Sequence, residues 1–280
     1  MKNETNLDLQ QLLDYRFGDA PRLDGTEPHG NLIDSMAARG SCRTFLDKAV
    51  PDGWVEMLCA VALAAPSKSD LQQRDIVLLK SPIVRRSLVD LIEDQDWVAE
   101  APMMAVFCGN NRRQRLLHER RGIPFANDHL DAFFNAIGDA AIALGAFVTA
   151  AEALGLGCCP ISAVRNKAAE VSVLLGLPEY VFPFAGLAFG FPTEAPAVSK
   201  RLPLNATCHT DRYQEDKILE KVDRYDAERA KAQPYGKQRY PSIFAESNNY
   251  AWSEDKVRQY SQSERGNFGQ FVRAQGFSLD

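Results

Sequence analysis

The chain has 280 residues, 45% hydrophobic and 25% charged, enough to bury a sizeable core in one large domain or two small ones. Its formal net charge of −5, with 32 Lys and Arg against 37 Asp and Glu, argues against a general nucleic-acid binder, which carries a basic surplus. Six cysteines with no CxxC pair do not make a disulfide framework, and the four scattered histidines show no metal-ligand spacing.

Residues 1–34 read as an N-terminal arm, with a polar start, an amphipathic stretch and then the turn-rich GDAPRLDGTEPHGN. The start lacks the charged head, apolar core and cleavage site of a secretion signal. A helix is expected from about Leu32 to Ala38. Another begins near Asp52 and is apolar on nearly every face, which predicts a largely buried helix ending at Pro66. The loop PSKSD follows. RDIVLLK (74–80) reads as a strand, 81–101 as helix, and PMMAVFCG (102–109) as a second strand whose unbroken apolar run suits a central position.

The densest basic run, NNRRQRLLHERRG (110–122), reads as a solvated helix or loop face. Residues 128–157 form a long helix dotted with Ala and Gly, apolar all round and therefore expected to be covered on every side, as at a subunit interface. Its most apolar stretch, 140–151, lies between Asp139 and Glu152 and is too short to cross a bilayer. No membrane or nucleic-acid partner is expected, and the unpaired cysteines suit a cytoplasmic protein. CCPISAV (158–164) is extended, residues 165–177 are helical with Gly176 as the stop, and YVFPFAGLAFGFP (180–192) is the last clear core strand. The tail, 204–280, is polar and amphipathic, with a final helical region from Ser253 to Phe277. Mixed elements without strict βαβ alternation indicate an α+β fold. GxGxxG and GxxxxGK[ST] are absent, so a nucleotide-like ligand must be held by separate polar loops.

Three polar clusters could do so. In ARGSCRTF, Arg39, Ser41 and Arg43 stand at alternate positions and share one face of an extended segment. Guanidinium groups meet phosphate with paired, charge-assisted hydrogen bonds. Ser67, Lys68 and Ser69 form the second cluster, and Lys200 with Arg201 the third.

RGSCRTF, APSKSDLQ, the Ala/Gly helix, GLGCCPISAVRN and GLPEYVFPFAGLAFGFP, in that order, resemble the FMN-dependent nitroreductase family. KRLP, the Tyr225-Asp226 pair and WSED at Trp252 are similar to its branch of oxygen-insensitive, NADPH-dependent nitroreductases and flavin reductases. The resemblance covers about residues 36–280. It implies a mixed, mostly antiparallel central sheet surrounded by helices, with a C-terminal extension, in a homodimer that binds FMN at its interface. The implied organisation is an arm (1–34), an FMN-binding core (35–203) and an extension completing the same domain (204–280). By resemblance, Arg39, Ser41 and Arg43 hold the FMN phosphate beside Gly40, helped by Lys200 and Arg201. Pro66, Ser67, Lys68 and Ser69 line the ribityl chain and ring, and Gln95 bonds the ring's polar edge. The turn Pro160-Ile161-Ser162-Ala163 places the Ser162 backbone N–H near flavin N5, with no side chain acting as acid or base.

The implied activity is ping-pong hydride transfer from NADPH, or NADH, to a small-molecule electron acceptor: a nitroaromatic, a quinone or free flavin. An ene-reductase, a dehalogenase-like enzyme and a non-catalytic flavin-binding protein are the alternatives. Some positions depart from the family pattern: Gly40 stands where a basic or bulky residue is usual, Ser162 and Ala163 where glycine is common, and Ser199 where a lysine is found. The long segment 233–250 offers Lys237 and Arg239 as candidates for gripping the NADPH 2′-phosphate.

Overall fold

The computed structural model describes residues 8–22, 30–92 and 95–280. The polar start of the expected arm, and half of its turn-rich stretch, lie outside the described residues. In chain order come helices α1 (Leu9–Phe17), α2 (Asn31–Ala38) and α3 (Asp52–Leu63), strand β1 (Arg74–Leu78), α4 (Pro82–Leu91) and β2 (Met103–Asn110). Then follow α5 (Arg112–Arg121), α6 (Leu130–Ala153), β3 (Gly157–Ile161), α7 (Ala168–Leu175) and β4 (Val181–Gly190). The remainder is helical: α8 (Leu204–Thr207), α9 (Ile218–Ala232), α10 (Pro241–Phe244), α11 (Trp252–Tyr260) and α12 (Phe268–Ala274).

The chain divides into two compact units, one of Met1–Gly40 with Ala197–Glu264 and one of Ser41–Pro196 with Arg265–Asp280. The second is built on a sheet of order β1-β2-β4-β3, every named pair antiparallel, to which Ser41 adds an isolated parallel bridge at Cys158. Its α+β, antiparallel character matches the sequence expectation. Alternation along β2 sends Ala105 and Phe107 into the cluster beneath α3 and α6, and Met104, Val106 and Cys108 into the cluster beneath α4 and α7. Both faces are therefore covered, which is why β2 and β4 read as continuous apolar runs. Pro183 interrupts the ladder. It has no N–H to give, and the β2–β4 register slips by one residue between Phe107 and Cys108, pairing Phe107 with Ala185 but Cys108 with Pro183.

Two helices depart from the reading of their apolar faces. On α3, Val55, Leu58 and Ala62 are buried, whereas the stripe Trp54, Met57 and Val61 is exposed. On α6, Phe134 is 67% exposed and Ile142 also faces out. An all-round apolar composition does not say which stripe the chain itself covers. With 24 residues, α6 is long and apolar enough to cross a bilayer, unlike the stretch 140–151 alone, but half of its most apolar window is buried inside the fold.

In the other unit, the motifs Tyr225-Asp226 and WSED meet. The Tyr225 and Trp252 rings pack edge to face at 5.3 Å, and the Asp226 carboxylate accepts the backbone N–H of Ser253 at 3.0 Å. That contact supplies an acceptor to the first turn of α11, whose leading N–H groups have no partner within the helix.

Candidate functional site

In the second unit, the segment after Gly40 lies against the start of β3. The Cys42 N–H donates to the Cys158 carbonyl at 3.0 Å, and the Cys42 side chain is buried while Ser41 and Arg43 on either side are exposed. This is the alternation expected of an extended stretch. The close approach depends on Gly157, where an added Cβ would lie 2.5 Å from Cys42 Sγ. Burial pushes the Cys42 thiol pKa up.

At its far end β3 gives way to a short 3-10 turn, Ser162–Arg165. The sequence expectation of extended chain through 164 is thus corrected: the strand stops at Ile161. Gly186, opposite Ile161 in β4, leaves room for the turn, since a Cβ there would sit 3.0 Å from Val164. Ile161 is buried in the core, so only its backbone is available to a ligand, while Pro160 and Ser162 are exposed and Ala163 is partly buried. Ser162 opens the turn, and the leading N–H groups of such a turn have no partner within it.

The loop from Pro66 to Gln73 is held by one buried carboxylate. Asp139 of α6, 1% exposed, accepts the Lys68 N–H at 2.8 Å and the Gln73 N–H at 2.7 Å, and lies 3.7 Å from the Arg74 guanidinium. Arg74 in turn donates to the carbonyls of Leu63 and Ala65, each at 2.7 Å. Ser69, Asp70 and Gln72 have φ of 48°, 55° and 52°, left-handed conformations that non-glycine residues rarely adopt. Such strain persists only when the surroundings impose it. Asp139 imposes it here, and Ser67, Lys68 and Ser69 are presented together, with Lys68 Nζ 3.1 Å from Ser69 Oγ.

Gln95 and Arg43 converge on one indole. The Trp97 Nε1–H donates to Gln95 Oε1 at 2.9 Å, and the Arg43 guanidinium lies 5.8 Å from the centre of the Trp97 ring system. The Gln95 carbonyl is thereby occupied, and its amide NH2 remains to donate.

The other expected residues belong to the first unit. There the buried Arg16 of α1 is the organising group. Its guanidinium donates to the carbonyls of Ala37, Arg39 and Ser199, and its own carbonyl accepts the Arg201 N–H at 2.6 Å. The chain around Arg39 and Gly40 and the chain around Lys200 and Arg201 are thus tied to one side chain. Lys200 Nζ reaches the Tyr15 carbonyl at 3.2 Å, and the Lys200 carbonyl accepts from Tyr225 Oη at 3.3 Å. In the 233–250 segment Lys237 is exposed, but Arg239 is engaged: its Nε lies 3.1 Å from the Asp255 carboxylate. Burial works against the Asp255 charge, yet Lys256, Tyr250 and Arg239 together hold its pKa below the ordinary carboxylate value. No group of three or more metal-ligating side chains exists among the described residues.

Two family models match the chain, one described as the nitroreductase family over residues 36–191 and one as that family's C-terminal domain over 199–280. The chain belongs to the nitroreductase family. An FMN reductase [NAD(P)H] of Bacillus subtilis is 29% identical over 254 residues, 89% of this chain and 98% of that protein. An oxygen-insensitive NADPH nitroreductase of Salmonella typhimurium is 33% identical over 198 residues, 70% of this chain and 81% of that one. Among solved structures, NfrA2 of B. megaterium superposes with a TM-score of 0.82 at 30% identity, covering 90% of this chain and all of that one. The NADPH:FMN oxidoreductase of Vibrio harveyi, complexed with NAD+, gives 0.75 at 27% identity, covering 88% and 98%. The protein is an NAD(P)H-dependent oxidoreductase of this flavin and nitro reductase family.

Sequence reasoning missed Arg16 and Asp139, both of which set the shape of loops in this member of the nitroreductase family. The local signal for Asp139 was a lone carboxylate within the apolar stretch from Ala132 to Ala151 of a long helix.

Proposed function

We propose that this chain is an FMN-dependent NAD(P)H oxidoreductase that passes hydride to nitroaromatics, quinones or free flavin by a ping-pong cycle, as a cytoplasmic homodimer. The observation that carries the reading is the use of β3 as a ruler. Ser41 and Arg43 sit exposed beside its first residues, and the Ser162 N–H leads the turn at its end. Four residues from Cys158 to Ser162 span about 13 Å at the rise of a strand, suited to a ligand with a phosphate at one end and a ring at the other.

The donor set fits that ligand. Ser41 Oγ and the Arg43 guanidinium would take the phosphate, with Arg39, Lys200 and Arg201 carried over by resemblance as further cations beside Gly40. Ser67, Lys68 and Ser69 would face the ribityl chain after Pro66, and the free amide of Gln95 would donate to the ring edge. FMN, when bound, supplies hydride acceptance and release at N5. The Ser162 N–H, backed by the Pro160, Ile161 and Ala163 backbone, donates where negative charge develops, and as a fixed dipole it needs no reorganisation during the reaction. Its effect survives replacement of glycine by serine, because the donor is main chain. The exposed apolar stripes of α3 and α6, among them Met57, Val61, Phe134 and Ile142, support the homodimer.

The test is an absorption spectrum of the purified protein before and after anaerobic NADPH. Flavin bands that bleach, and parallel double-reciprocal plots with a quinone acceptor, are expected. A protein that is colourless and takes up no added FMN refutes the reading, and flavin bands without steady NAD(P)H oxidation would assign a flavin-storing protein instead.

A further inference from the structure

A cavity of 320 Å³ opens in the second unit where β1, the edge strand of the sheet, meets α5 and the chain leading into β4. Its walls are apolar: Val77 of β1, Cys108 of β2, Leu116 of α5, and then Leu177, Pro178 and Val181. Its floor is desolvated. Cys108 is fully buried, and burial pushes its thiol up to about 12, with the Asp75 charge adding to the shift.

Three charged groups line the same cavity: Asp75, Arg112 and Arg113. Two of them satisfy each other. Arg113 Nη1 holds the Asp75 carboxylate at 2.7 Å, and its Nη2 donates to the carbonyls of Gln72 at 2.7 Å and Arg74 at 2.9 Å. The second Asp75 oxygen accepts from Asn110 Nδ2. Arg112 takes no part in this. It is half-buried, and among the described residues its guanidinium makes no hydrogen bond and no ion pair. It is also the first residue of α5, where the positive end of the helix disfavours a cation. Arg112 and Leu116 are four residues apart on that helix, so the free cation and the apolar wall share one face.

A half-buried guanidinium without an acceptor, beside an apolar cavity, matches an anion carried on an apolar body. The fork takes a carboxylate through two charge-assisted hydrogen bonds, while the body is withdrawn from water. At about 30 Å³ for each heavy atom, the share a water takes in the liquid, the cavity accepts on the order of ten atoms. An inorganic anion would leave the apolar walls unused, and a neutral hydrocarbon would leave Arg112 without an acceptor.

We propose that this cavity binds a small amphiphilic carboxylate, with Arg112 on the carboxylate and Val77, Leu116 and Val181 around its apolar body. The site shares no residue with the proposed flavin site and stands whether or not flavin binds.

Calorimetry on the wild-type protein with octanoate and with 3-phenylpropionate tests it, beside octanol and octylamine as controls of charge. Expected are binding of at least one carboxylate, about tenfold weaker binding of the alcohol, none of the amine, and amide shifts in NMR spectra centred on Val77 and Leu116. Arg112→Gln should weaken carboxylate binding about tenfold, the scale of one charge-assisted hydrogen bond, and Arg112→Lys should recover part of the loss. Leu116→Glu sets a carboxylate one helical turn from Arg112 and should abolish binding; Leu116 is 47% exposed, so the helix tolerates the change. Each variant should unfold at the wild-type temperature without ligand, and the wild type should gain Tm as octanoate is added. Equal binding by the wild type and Arg112→Gln, amide shifts centred instead on the Ser67–Ser69 loop, or no binding of either carboxylate would each overturn the assignment.

Discussion

Replacing Asp139 with alanine removes the acceptor of two backbone donors and the charge facing Arg74 in one step. Each hydrogen bond to a charged acceptor contributes about 1.5–3 kcal/mol, and stranding one member of a buried ion pair costs about 3–5 kcal/mol. These terms overlap, and Arg74 keeps the Leu63 and Ala65 carbonyls at 2.7 Å, so its charge is not left without acceptors. A net loss of about 4 kcal/mol follows for Asp139→Ala, and about 2 kcal/mol for Asp139→Asn, which keeps one oxygen acceptor. At roughly 2–4 °C per kcal/mol for a domain of this size, alanine should lower Tm by about 8–16 °C. Hydrogen exchange locates the effect, because the Lys68 and Gln73 amides should lose protection while those in the centre of β2 keep it at sub-global openings. Flavin retention should fall with it, since Ser67 and Ser69 ride on the same loop. Unchanged Lys68 and Gln73 exchange in the alanine variant would refute the account of how this loop is held.

Arg43→Ala should weaken flavin retention on dialysis far more than it changes Tm, because the side chain is exposed and among the described residues its one side-chain partner is the Trp97 ring; a variant with full flavin occupancy would remove Arg43 from the phosphate. Gly157→Ala places a methyl 2.5 Å from Cys42 Sγ and should push the Ser41–Arg43 stretch off β3, costing about 1–3 kcal/mol and much of the flavin affinity, as read by denaturant melts and fluorescence titration with FMN. For Asp255 the folded-state pKa is depressed, so its contribution is complete above the ordinary carboxylate value of 3.8 and is lost as pH falls below that through the folded value. Asp255→Asn should therefore flatten the acid limb of the stability profile; an acid limb identical to that of the wild type would show that the 233–250 segment is anchored by other groups.

Periodicity was enough to place β2, α6 and the helix stop at Gly176, whose φ of 63° suits glycine. It also showed that β4 is a core strand, but not that Pro183 would force a bulge opposite Cys108, because the cost of a missing N–H depends on the neighbouring strand. The apolar run of α3 was legible and its exposed stripe was not, since composition does not distinguish a surface covered by the same chain from one left open. The polar clusters were visible as clusters. What holds them was not: Asp139 lies 71 positions from Lys68, and Arg16 lies 183 from Ser199. Likewise Arg239 read as a free cation, because the carboxylate that engages it arrives sixteen residues later on another element.

Neither unit is a continuous stretch of chain, and this bears on the order in which the protein is made. The core around Phe133, Ala136 and Phe182 is completed by Val272 and Phe277, which follow Phe182 by 90 and 95 positions and are synthesised after every strand of the sheet. As the chain leaves the ribosome, Ser41, Ser67 and Ser162 are all present long before that cluster can close. A ribosome stalled with residues beyond 264 still in the exit tunnel would display the four strands and the polar loops together with an open aromatic cleft between α6 and β4. A nascent chain at that stage should be a ready client for chaperones, and emergence of Arg265–Asp280, which carries Val272 and Phe277, should act as the latch that ends the exposure.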